Sequence, residues 1–172
     1  DNILIELNGP EAPILDGSSR EYAEAIDKTG LELQEAVRNI FKIEEKIEYR
    51  DEEHGIELIA YPDDKFSLDV KIDYNSKVLG FQYANLDDIK DFKDEIAPSR
   101  TFVFLHELEF LLKNNLIKGG DVDNAIVIID RKVTQEELDR LAELFHKPKV
   151  KVQPEGILNN VTLNFSNEPA RH

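Results

Sequence analysis

The chain has 172 residues, and 36 acidic against 21 basic side chains leave a net charge of −15, which excludes the basic face that a nucleic-acid backbone requires. An apolar fraction of 41% with 33% charged residues is that of a folded globular chain, and zero cysteines exclude a disulfide framework and thiolate chemistry. No apolar run approaches the ~20 residues of a membrane helix and no signal-peptide pattern opens the chain, so the expectation is a cytoplasmic protein that is not integral to a membrane.

The chain opens on DNILIELNG, where Ile3, Ile5 and Leu7 alternate with polar residues as in a half-buried strand. No methionine precedes it, so a segment of something longer is expected. SSREYAEAIDKTGL predicts a helix, with Ser18 and Glu21 as a capping box, Tyr22 and Ile26 on one face and Gly30 as a left-handed stop. From Ile40 the period falls to two, through Phe41, Ile43, Ile47 and Tyr49, and Ile56 and Leu58 beyond DEEHG complete a predicted hairpin. Phe66, Leu68, Val70, Ile72 and Tyr74 alternate without exception, and the Asn75-Ser76 turn leads into KVLGFQYA as a second hairpin.

VFLHELEFLLKNNL then follows a period of 3.6, with Phe104, Leu108, Leu111 and Leu112 on one face and Glu109 one turn before Lys113, predicting the strongest helix of the chain. NAIVIID suits a short strand buried on both faces, Thr134 and Glu137 cap a helix striped by Leu138, Leu141, Ala142 and Phe145, and VKVQ reads as a returning strand. The fold class expected is α+β: a two-layer α/β sandwich, mostly antiparallel sheet with helices on one face, plus a small βαβ insert.

Motifs that carry chemistry unaided are absent: no HExxH, P-loop, GxSxG or GxGxxG occurs, and His54, His106, His146 and His172 have no paired spacing. His54, His106 and His146 read as surface residues. The acidic run NLDDIKDFKDE leaves open an acidic α/β interaction module for basic partners, although such a run is more often a solvated face.

The stretches APILDGSS, APSRTFVFLHELEFLLKNNLIKGGDVDNAIVIID and EPARH follow one another in an order and separation that resemble the zinc-dependent UDP-3-O-acyl-N-acetylglucosamine deacetylases of lipid A biosynthesis. The resemblance covers most of the chain except about residues 131–160, and it points to the Bacteroides-type branch, commonly fused to a hydroxyacyl-carrier-protein dehydratase. It implies two similar α/β domains around a catalytic zinc. On that alignment residues 1–35 are the tail of the first domain, and 36–172 are most of the second, with the insert at about 131–160.

Residue by residue, the resemblance implies that Thr101 helps hold the oxyanion of the tetrahedral intermediate, a contribution of ~3 kcal/mol in a dry site. Its place before an expected helix leaves a second reading open, a helix N-cap. Phe102, Leu108, Ile117, Ala125 and Val127 are implied as the lining of an acyl-chain passage, with helix-to-sheet packing as the plainer alternative for each. Asp121 departs from the small hydroxyl residue of many relatives. His172 matches the second zinc-binding histidine, and Asp16 is a candidate for orienting groups near the cleft, against simple turn chemistry.

The implied reaction is zinc-assisted hydrolysis of the N-acetyl group of an acylated UDP-sugar, with a glutamate as general base. That glutamate, the first metal histidine, the aspartate ligand and the general-acid histidine would all lie outside residues 1–172. The segment alone is therefore expected to be inactive and to hold zinc weakly.

Overall fold

Ile126–Ile129 is the centre of the molecule, a strand in which every residue is buried. The computed structural model describes residues 2–114, 116–117 and 123–172. Val127 and Ile129 point into one apolar cluster with Leu105, Leu108, Leu138 and Leu141, while Ile126 and Ile128 join Phe104 in another. Alternation along an apolar strand thus feeds two layers, and each fully buried isoleucine contributes ~1.5–3 kcal/mol of hydrophobic stabilisation.

In chain order the described elements are α1 (Arg20–Thr29), β1 (Ile47–Asp51), β2 (Ile56–Ala60), β3 (Leu68–Ile72), β4 (Gln82–Leu86), α2 (Phe92–Glu95), β5 (Phe102–Phe104), α3 (Leu108–Lys113), β6 (Ile126–Ile129), α4 (Gln135–Leu144), β7 (Gly156–Ile157) and α5 (Glu168–Arg171). The fold class is α+β, as expected. β1–β2, β3–β4 and β6–β7 pair antiparallel, and β5–β6 pair parallel. The outer layer over Val127 and Ile129 is helical, from α3 and α4, whereas Val78 and Leu79 of the β3–β4 connection cover the other face.

Both hairpins form, but the second strand of the β3–β4 hairpin begins only at Gln82, so residues 77–81 of the expected KVLGFQYA strand lie in the connection. Tyr49 faces Leu58 and Ile47 faces Ala60, and Asn75 turns the chain after β3 with φ 54°. The β1–β2 ladder begins only at Ile47, leaving Phe41 in an exposed, irregular stretch. Thr134 caps α4 as expected, its hydroxyl accepting from the Glu137 N–H at 3.2 Å, and Leu138, Leu141 and Ala142 are buried on the predicted stripe. Glu109 and Lys113 pair at 2.7 Å on α3.

Several expectations need correction. Ile3, Ile5 and Leu7 are exposed and belong to no described strand, because alternation makes a strand only where a partner backbone completes the ladder. Ser18 and Glu21 form no capping box: the Ser18 hydroxyl donates to Asp16 at 2.7 Å and accepts from the Arg20 N–H at 3.3 Å, while Ser19 occupies the cap position. Gly30 does end α1 with φ 76°.

The larger correction concerns Phe102–Phe104. These residues are a strand paired with Ile126–Ile128, and the helix starts later, after a 3₁₀ turn at Leu105–Glu107. The apolar entrance expected of a helix is the apolar interior of a parallel sheet, and Thr101 caps no helix. VKVQ is likewise not a strand; the returning strand is β7, antiparallel to β6, so the parallel strand–helix–strand unit is β5–α3–β6.

Candidate active site

Residues 10–14, β5, α3, residues 116–117, the start of β6 and the end of α4 enclose a groove of about 740 Å³. Thr101, Phe102, Leu108, Ile117, Ala125 and Val127, the residues implied by resemblance, all lie on it. Leu108 and Val127 are also core residues, 4% and 2% exposed, so they form its floor, whereas Thr101, Ile117 and Ala125 are only half-buried. The Phe102 ring packs at 5.7 Å from Tyr74 and 6.2 Å from Phe104, so much of this side chain serves the Ile126–Ile128 cluster.

Thr101 is held through its backbone from two sides. Its N–H donates to the Gly17 carbonyl and its carbonyl accepts from the Ile126 N–H, both at 2.8 Å. Gly17, at φ 86°, can approach this closely only because it lacks a side chain: a Cβ there would stand 1.9 Å from the Asn124 carbonyl oxygen. The turn before it is closed by Asp16, which accepts from the Ser18 N–H and hydroxyl. Partial burial raises the Asp16 carboxyl, but these two bonds and nearby Arg20 outweigh it and hold the group below its ordinary value. Asp16 shapes the turn.

A second, smaller cavity of about 350 Å³ shares Pro13 and Ile14 with the groove and is lined by Gly17, Ser18, Tyr22, Ser99 and His172 among others. His172 is exposed and closes α5, its N–H donating to the Glu168 carbonyl at 3.0 Å. Thr101 and His172 therefore lie on two cavities that share the Pro13–Ile14 segment as a wall. Among the described residues no cluster of three or more His, Cys, Asp or Glu side chains could hold a metal ion. Asp121 lies outside the described residues.

The remaining histidines are outside this region. His54 pairs with Asp51 at 2.8 Å in the β1–β2 turn, and His106 contacts Asp130 at 3.1 Å while stacking on Phe104. The acidic run is a solvated face, where Asp88 caps the Lys90 N–H and Lys93 pairs with Asp27. No described helix is long and apolar enough to cross a membrane.

The sequence profile of LpxC, UDP-3-O-acyl N-acetylglycosamine deacetylase, matches residues 1–150. The chain belongs to that deacetylase family. It is 49% identical over its full length to the bifunctional enzyme LpxC/FabZ of Bacteroides thetaiotaomicron and 46% identical to that of Porphyromonas gingivalis, spanning 37% of each. Over 151 residues it is 34% identical to the UDP-3-O-acyl-N-acetylglucosamine deacetylase of a Nitratiruptor species, matching 87% of this chain and 50% of that protein. The chain thus spans about half or less of these relatives.

Sequence reading missed Arg100, Glu168 and the Pro10–Ile14 wall. The Glu168 carboxylate, fully buried, accepts from the Arg100 N–H and Nε at 2.8 Å each, from Arg100 Nη2 at 3.1 Å and from the Asn164 N–H at 2.7 Å. A glutamate before a proline at a helix start gives no local sign of this role.

Proposed function

We propose that this chain is part of an enzyme that hydrolyses the N-acetyl group of UDP-3-O-(3-hydroxyacyl)-N-acetylglucosamine during cytoplasmic lipid A synthesis. The observation that carries the reading is the groove: six residues implied by resemblance, between positions 101 and 127, line one apolar cleft with Thr101 on its wall. An acyl chain suits such a cleft, since each buried methylene contributes ~0.8 kcal/mol.

In this reading the groove binds the acyl chain and excludes water, and the Thr101 hydroxyl donates to the oxygen of the attacked acetyl carbonyl as negative charge develops there. The tight backbone bonds of Thr101 to Gly17 and Ile126 fix the main chain that carries that hydroxyl before substrate arrives. Zinc, implied by family resemblance, would supply an activated water, and a catalytic zinc takes three protein ligands. In this reading His172 is the imidazole that this chain contributes, and among its described residues no cluster of three or more His, Cys, Asp or Glu side chains could hold the ion. The other ligands and the general base are assigned to residues outside the chain.

Residues 1–35 are read as the end of a first deacetylase domain and 36–172 as most of a second, with the insert at about 131–160. A dehydratase fused in the same polypeptide is proposed by analogy with the relatives named LpxC/FabZ. The test is acetate release from the acylated UDP-sugar by the complete reading frame carrying this chain. Turnover with the acyl substrate, lost in Thr101→Val, is the expected result; no hydrolysis by the complete protein overturns the proposal.

A further inference from the structure

Glu168 is the only charged residue among the buried polar positions of the described chain, and its carboxylate accepts from Arg100, next to Thr101, and from the Asn164 N–H, ahead of α5. On one side it accepts from the Arg100 N–H, Nε and Nη2, which fixes the backbone next to Thr101. On the other it begins α5, and its own carbonyl receives the His172 N–H at 3.0 Å. Asn164 Nδ2 to the Pro98 carbonyl and Arg171 Nη1 to the Glu95 carbonyl, both 2.8 Å, tie the same two segments together. Gly17 completes the frame by accepting from Thr101.

We infer that Glu168 is a positioning residue that sets the separation of Thr101 and His172, through Arg100 on one side and through α5 on the other. This rests on the deacetylase reading above. A glutamate is needed because Oε1 takes two donors from Arg100 while Oε2 takes Asn164 N–H and Arg100 Nη2. An amide in its place would turn an NH₂ toward two donors, and the Arg100–Thr101 backbone would shift. Displacement of a reacting group by ~1 Å costs turnover on the order of 100-fold without touching groups that only bind substrate.

The experiment uses the complete protein carrying this chain, with kcat and KM measured for the acylated UDP-sugar at a temperature where circular dichroism finds each variant folded. Glu168→Gln and Arg100→Lys are expected to lower kcat about tenfold or more with KM nearly unchanged. Because the Arg100 side of Glu168 acts through Thr101, the same Glu168→Gln change in a Thr101→Val background should lower kcat less, the remainder being the part carried by α5 and His172, a coupling that a general loss of stability would not produce. If Glu168→Gln does not fold, Arg100→Lys, which keeps the charge and loses the fork, carries the same comparison. Unchanged kcat in the folded variants, or equal losses in both backgrounds, overturns the positioning role while an impaired Thr101→Val leaves the deacetylase reading standing. A silent Thr101→Val removes the role of Thr101 and the positioning role that depends on it, while absence of hydrolysis by the complete protein removes the deacetylase reading as well.

Discussion

Arg100 and Glu168, 68 residues apart, form a forked ion pair in which the carboxylate is wholly buried and the guanidinium side chain 18% exposed. Arg100 Nη2 also donates to the Thr162 carbonyl at 2.8 Å, so the pair joins the start of β5 to the segment before α5. Removing one partner strands a buried charge, and Glu168→Ala is expected to lower folding stability by ~3–5 kcal/mol, measured by urea denaturation.

The same pair sets a dependence on acid. Burial raises the Glu168 carboxyl, but Arg100 and the Asn164 N–H outweigh it and hold the group below its ordinary value. Between the lowered folded value and the ordinary unfolded value near ~4.3, the unfolded chain binds the extra proton, so stability rises with pH in that window. The Glu168 contribution is therefore complete above the unfolded value and lost as pH falls through the folded one. Denaturant midpoints from pH 3 to 6 should show a shallower acid limb in Glu168→Gln.

Gly17→Ala introduces a Cβ 1.9 Å from the Asn124 carbonyl oxygen at a φ of 86°. Backbone must move, and that movement is passed to Thr101 through its bond to the Gly17 carbonyl. A stability loss of ~1–3 kcal/mol is expected, with a fall in turnover in the complete protein. A variant with wild-type melting temperature and turnover would contradict the close approach.

Thr101 precedes a strand, so Thr101→Val removes no helix cap and should change stability little. If the hydroxyl meets developing negative charge, kcat in the complete protein falls roughly 10²–10³-fold while KM changes little. A rise in KM with kcat intact would assign Thr101 to substrate binding alone.

Ala125 is half-buried on the groove, where a larger side chain enters the proposed acyl path. Ala125→Phe should reduce kcat/KM for a long-chain substrate about tenfold or more and spare short-chain substrates, an effect of steric exclusion worth ~1–3 kcal/mol. Equal losses across chain lengths would place the acyl chain elsewhere.

The isolated 172-residue chain is expected neither to release acetate nor to retain one zinc per chain on elemental analysis, because a three-ligand cluster is absent among its described residues. Tight one-to-one zinc retention would show that the ligand set lies within these residues.

The sequence by itself determined the elements whose causes are local. Thr134 satisfies an N–H three residues away, the 138-141-142 stripe buries one helix face, Asn75 accepts a positive φ, and the Ile126–Ile129 run is apolar enough for two faces. Family motifs made the groove residues legible as well. What only the tertiary structure decided depends on partners far along the chain. Phe102–Phe104 has a helix-like pattern ahead of it yet forms a strand, because Ile126–Ile128 offers a parallel backbone ladder and an apolar layer on each side. Ile3, Ile5 and Leu7 alternate as well as any strand and pair with none among the described residues. Glu168 looks like one more surface acid in a chain with 36 acidic residues; it is buried because Arg100, 68 positions earlier, supplies the donors that repay its lost hydration.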